Sequence, residues 1–179
     1  MSRVTEIRYV GYGVADFDAE ATYYADVWGL ERVPSDDGMA WFKAQGNDEH
    51  HVVCLRRADI NRIDVLALAA ESRADVDALA VRVEAARCQM VHEPRDLTTP
   101  GGGYGCRFFS PDGIEMEISA DVARGTQRPI ERWEGIPVKI SHIVLHFTGN
   151  DHTADALRNA LAAGGDTLET TVSLLHQYN

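Results

Sequence analysis

Residues 107–118, Arg-Phe-Phe-Ser-Pro-Asp-Gly-Ile-Glu-Met-Glu-Ile, constrain the fold of this chain more than any other stretch. Residues 107–109 form an aromatic extended run, Ser110-Pro111-Asp112-Gly113 has turn chemistry, and residues 114–119 alternate strictly. The spacing therefore predicts strand, tight turn, strand. Alternation puts Ile114, Met116 and Ile118 on one face and Glu115, Glu117 and Ser119 on the other. The apolar face belongs to a core. The two carboxylates then point to the non-core side, where solvated glutamates on an ordinary hairpin satisfy the pattern.

The rest of the chain supplies partners for such a hairpin. A β-type run over residues 7–14 leads to Asp16 and Asp18, either of which can cap a helix reaching about Gly29, with Ala21, Tyr24, Ala25 and Trp28 at helical spacing. Extended runs follow at 31–34, 39–43 and 51–56. The order then repeats: a strand over 62–69, a helix over 72–86 with Val76, Leu79, Ala80 and Val83 as its apolar stripe, an extended run at 89–92, a Pro/Gly-rich loop over 93–103 whose residues 98–103 are expected to be mobile, and the hairpin. Two βαβββ modules make an α+β domain of mixed sheet with outer helices. The expected organisation is one domain over residues 1–120, a linker over 121–136, and the incomplete start of a second domain over 137–179. Residues 137–146 are expected to be its first strand, with a helix over 151–163 and a strand over 170–177 in the tail.

Composition narrows the function classes. A net charge of −11 over 179 residues, with no basic block, argues against nucleic acid and anionic membrane surfaces as partners. Cys54, Cys88 and Cys106 are odd in number and free of any CxxC pattern, which suits buried thiols in a reducing cytoplasm. No apolar run approaches the roughly 18–20 residues of a membrane span, and the first residues lead straight into a strand. A soluble cytoplasmic protein is expected. Gly11-Tyr12-Gly13 lacks the third glycine of a dinucleotide loop, and the 98–103 segment has no lysine and leads into a strand, so neither is a phosphate cradle.

The carboxylate-bearing hairpin, the doubled βαβββ order, the opening strand Ile7-Arg8-Tyr9-Val10-Gly11-Tyr12-Gly13-Val14 and the later Val138-Lys139-Ile140-Ser141-His142-Ile143-Val144-Leu145-His146 together resemble the vicinal-oxygen-chelate superfamily of glyoxalases, bleomycin-resistance proteins and dioxygenases. Within it the chain is most similar to two-domain type I extradiol ring-cleavage dioxygenases. The resemblance implies meta-cleavage of a catechol-like aromatic diol with O₂ at non-haem Fe(II), sometimes Mn(II), held by two His and one Glu in the second domain. Such a set leaves open positions for diol and O₂. It also allows a homo-oligomer.

Carried over residue by residue, the resemblance puts the three ligand places of the first domain at Tyr9, near Val65, and at Glu117. Only Glu117 is of ligand type, so this domain is expected to bind no metal, with Glu117 a relic. His142 takes the first ligand place of the second domain. His146 lies on the same face about 13 Å away at ~3.3 Å per residue, and His152 and His176 lie in a tail that departs from the family. His50 and His51, adjacent in an expected strand, point to opposite faces and read as a relic or surface pair. Catalytic and substrate-binding residues stay unassigned, and the chain alone is expected to be inactive. Two other readings remain: a metal-free small-molecule-binding protein of the bleomycin-resistance type, and a glyoxalase-like metalloenzyme with a site shared across a dimer.

Overall fold

The computed structural model describes residues 2–35, 38–143, 155, 157 and 159–161. The elements run β1 (Val4–Val14), α1 (Phe17–Thr22), a π-helical segment (Tyr23–Val27), β2 (Glu31–Val33), β3 (Met39–Lys43), β4 (Val53–Arg57), β5 (Arg62–Ala70), α2 (Arg73–Ala85), β6 (Gln89–Asp96), β7 (Tyr104–Phe109) and β8 (Glu115–Ala120). This is βαβββ twice, in mixed sheet, as the sequence predicts. The spatial order repeats as well: β2-β3-β4-β1 in the first module and β6-β7-β8-β5 in the second.

The chain divides into two compact units, Met1–Ile7 with Ala67–Val122 and Ser141–Asn179, and Arg8–Leu66 with Ala123–Ile140. In the second of these, β1 pairs parallel with β4, and β3 pairs antiparallel with both β2 and β4. Val14, Phe17, Ala21, Ala40, Phe42, Val53 and Leu55 close into a core under α1. Asp16 caps α1 by accepting from the Ala19 amide at 3.2 Å. The helix does not stay α-helical to Gly29: Trp28 donates to the Tyr23 carbonyl five residues back. This wider turn brings the Tyr24 ring against both Trp28 and Phe42, at 5.4 and 5.9 Å between centroids.

In the other unit α2 buries Val76, Leu79, Ala80 and Val83, the stripe that its sequence spacing marks. Ser72 caps it, accepting from the Asp75 amide. β6 extends to Asp96, beyond the expected 92, because its residues continue to pair with β7 through two register shifts. The glycine turn that follows is tied by Leu97 donating to the Gly103 carbonyl and Gly102 to that of Thr99, both at 2.8 Å. The three cysteines are free and buried. Among the described residues no helix is long and apolar enough to cross a membrane.

The expectation of a strand over 137–146 is corrected over its described part. Residues 137–143 have no regular structure. Pro137 has no amide proton to give a ladder, and the alternating Ile136, Val138 and Ile140 pack singly, near Gly29, near Gly46 and on the α1 core. Residues 144–146 lie outside the described residues, as does the expected strand over 170–177. Of the expected tail helix, Asp155, Leu157, Asn159, Ala160 and Leu161 are helical.

Gly11 marks a tight approach in the second unit. A Cβ there would stand 2.7 Å from Val65 Cγ1, and a β-branched neighbour has little rotamer freedom to yield. Gly11→Ala should lower stability by about 1–3 kcal/mol in chemical denaturation. Adding Val65→Ala should recover part of that loss, visible as coupling in a double-mutant cycle. Strict additivity would show that the contact is not tight.

Candidate functional site

Two polar constellations are buried, one in each unit. On β1, the buried Arg8 donates from Nη1 to Glu49 Oε2 at 2.7 Å. Glu49, 4% exposed, also accepts from Arg124 Nη1 at 2.9 Å through its other oxygen. Arg124 belongs to the segment read as a linker. That segment is tied down further: Gly125 donates to the Asp48 carbonyl at 2.7 Å, Lys43 Nζ to Thr126 Oγ1 at 3.1 Å, and Arg128 Nε to Gln45 Oε1 at 2.7 Å.

The chain bends after Glu49, so His50 and His51 precede β4 rather than lie in it. This corrects the reading of the pair as opposed residues on a strand. The two Nδ1 atoms meet at 3.0 Å, so one imidazole donates and the other accepts. His51 is 2% exposed, which also corrects the surface-pair expectation. Its ring is 4.4 Å from both Tyr9 and Trp41. Burial, then His50, then the charge of Arg8 push its pKa down to about 3. A group so weakly basic stays neutral near pH 7 and is a poor proton acceptor there. Among the described residues its Nε2 has no hydrogen-bond partner. The sequence offers a signal for this cluster only in hindsight: aromatic residues at 9 and 41 beside a His pair.

In the other unit, β7 and β8 set Arg107 directly opposite Glu117. The Glu117 side chain is 1% exposed, so the carboxylate face of β8 is covered and not solvated. This corrects the two-sided pattern read from alternation, since both faces of the strand are buried from Met116 to Ala120. Arg107 Nε and Nη2 each lie 2.8 Å from Glu117 Oε2, and Nη1 lies 3.1 Å from Glu115 Oε1. The neighbouring Cys106 thiol is pushed up to about 12, first by burial, which makes it unreactive.

The three family ligand places thus hold Tyr9, packed on Trp41 and His51; Val65, buried against Gly11; and Glu117, bound to Arg107. A transition-metal site needs converging nitrogen, sulfur or carboxylate donors. Among the described residues no three His, Cys, Asp or Glu side chains converge to hold an ion, and the residues at these places do not fit Fe(II) or Mn(II). His142 is exposed, its Nδ1 3.1 Å from Ser141 Oγ. His146, His152 and His176 lie outside the described residues.

The fold and these places define the class. Residues 6–118 match the Glyoxalase/Bleomycin resistance protein/Dioxygenase superfamily, and the chain belongs to it. It is 66% identical to the Mn(II)-bound glyoxalase from Novosphingobium aromaticivorans, with a TM-score of 0.87, covering 90% of this chain and 54% of that one. It is 24% identical over 124 residues to the manganese-dependent 2,3-dihydroxybiphenyl 1,2-dioxygenase of Geobacillus genomosp. 3, covering 69% of this chain and 39% of that protein. A 2,3-dioxygenase from Pseudomonas sp. KL28 shares the fold at a TM-score of 0.74 and 20% identity, covering 90% of this chain and 59% of that one. The chain therefore spans about half, or less, of the length of these relatives.

The buried imidazole gives a pH test. His51 is held near 3 in the fold against 6.5 for a free imidazole, so between those values the unfolded chain binds a proton that the folded one refuses. Its contribution to stability is complete above about pH 6.5 and declines as pH falls, by at most about 1.4 kcal/mol per unit. His51→Phe keeps the ring stack and removes the titration. Urea midpoints of the variant should fall less steeply than wild type from pH 6.5 to 4. Parallel curves would place His51 in water.

Proposed function

We propose that the chain is part of a Mn(II)-using enzyme of this superfamily, of glyoxalase type, in which residues 1–120 act as a metal-free domain, residues 121–136 connect it onward, and His142 begins the ligand set. The observation that carries this reading is the occupation of the ligand places in residues 6–118: Tyr9, Val65, and a Glu117 whose charge Arg107 already balances. The 66% identity to a Mn(II)-bound glyoxalase across 90% of the chain supports both the metal and the reaction class. The metal, when bound, would polarise a substrate oxygen. This chain's residues 1–120 would contribute the scaffold, with Arg8, Glu49 and Arg124 fixing the segment that leads on to His142.

A second reading is extradiol cleavage of an aromatic diol with O₂ at Fe(II) or Mn(II). The match to a manganese-dependent dihydroxybiphenyl dioxygenase favours it. A bleomycin-resistance-type binding cup has less support, since the aromatic side chains Tyr9 and Trp41 are buried against each other and His51. The charge balance and the absence of a basic block keep nucleic acid and membranes off the partner list, and a cytoplasmic setting suits the free thiols.

The 179-residue chain, loaded anaerobically with Mn(II) or Fe(II) and desalted, should retain less than a stoichiometric ion. It should turn over neither a 2-oxoaldehyde–thiol hemithioacetal nor 2,3-dihydroxybiphenyl. A chain extended to the length of the Novosphingobium relative should hold Mn(II) and convert the hemithioacetal, and His142→Ala in it should abolish both. Ring-cleavage product from the extended chain would select the second reading. Stoichiometric metal in a dimer of the short chain would replace both with a site shared between copies.

A further inference from the structure

The misfit at Glu117 supports a step that rests on the metal-free reading and deepens it. His92 on β6 is the register partner of Arg107 on β7, and Arg107 that of Glu117 on β8. Directly opposed residues of antiparallel strands share a face, with Cβ atoms about 5 Å apart, as Arg107 and Glu117 do. His92 pairs with Arg107 between two register shifts of β6. An imidazole, a guanidinium and a carboxylate are therefore successive register partners across three strands. The His92 Nδ1 lies 2.9 Å from the Glu93 carbonyl oxygen. A carbonyl only accepts, so Nδ1 is the donor of this pair and Nε2 is not part of it. Metal-binding imidazoles use this arrangement, with the other nitrogen donating to a backbone carbonyl. Glu117 is a carboxylate already stripped of water. Two members of the row are thus of ligand type, and the member between them is a cation.

We infer that Arg107 takes the charge-balancing place a divalent ion would take beside Glu117 and holds the row His92–Arg107–Glu117 metal-free. Its guanidinium supplies the positive charge that a buried carboxylate demands. Nε and Nη2 both address Glu117 Oε2, and Nη1 addresses Glu115, so the oxygen that a metal would take is already engaged. Arginine has no neutral form at accessible pH. An incoming dication would have to displace a fixed charge of its own sign. Exclusion by charge adds to a shortage of donors: the row holds two ligand-type side chains, and no three converge among the described residues.

Replacing the guanidinium with an imidazole should turn the row into two His and one carboxylate, a set that suits divalent transition metals. The test is Arg107→His in the 179-residue chain, titrated with Co(II) and read by the visible absorption of the bound ion. One equivalent should bind at least tenfold more tightly than to wild type, and adding Glu117→Gln should take that gain away. Arg107→Lys, which keeps the cation, should gain nothing. If the imidazole variant is poorly folded without metal, thermal midpoints with and without Zn(II) give the same reading, because an ion that binds only the folded chain raises the midpoint. No Co(II) binding and no Zn(II)-dependent rise would overturn the inference and leave the metal-free reading intact. Co(II) held by wild type and lost with Glu117→Gln would overturn both.

Discussion

A carboxylate shut away from water is costly unless a cation or hydrogen-bond donors face it, and among the described residues Glu49 in one unit and Glu117 in the other are such groups. Glu49 is gripped by Arg8 from β1 and by Arg124 from the segment after β8. Glu117 is gripped by Arg107 from the neighbouring strand. Removing one partner of such a pair costs about 3–5 kcal/mol, since the other charge is left buried. These two pairs therefore set what may surround them. The Glu49 pair joins the loop before β4 to Arg8 within β1 and to residue 124. That loop also carries His50 and His51, so the imidazole pressed between Tyr9 and Trp41 depends on the same anchorage.

The order of elements was legible because each depends on local chemistry. Ser72 and Asp16 cap where short polar side chains precede apolar spacing, and Ser110-Pro111-Asp112-Gly113 turns where its residues permit. What covers a face is not local. Alternation on β8 correctly separates Glu117 from Met116 and Ile118, yet nothing in residues 114–119 says that the glutamate side is also buried. Arg107, ten positions earlier, is the missing term, and it is read as a partner only once the β7–β8 register is known.

The His pair failed for a related reason. Strand alternation would separate His50 from His51, but a bend before Val53 turns their Nδ1 atoms together. Residues 137–143 failed in the opposite sense. Their apolar alternation is real, and Ile136 and Ile140 are partly buried while Val138 stays exposed, but alternation reports side-chain direction and not hydrogen bonding. That Tyr9 and Val65 are not of ligand type is legible from the sequence alone. That a guanidinium stands on the Glu117 carboxylate is not.

A buried ion pair often adds little net stability compared with well-packed apolar residues. The arrangement on β7 and β8 does something that apolar residues would not. A slip of one residue moves every side chain of a strand to the other face. On β8 that would carry Glu115 and Glu117 to the side where Phe108, Met116 and Ile118 are buried. With Arg107 opposite Glu117 and reaching Glu115, the observed register leaves both carboxylates beside a cation, and a slip of one residue does not. A metal ion would neutralise Glu117 equally well, but it exchanges with solvent and belongs to no strand. The guanidinium is part of β7 itself, so charge balance and strand register come from the same side chain, and the hairpin needs no metal to keep either.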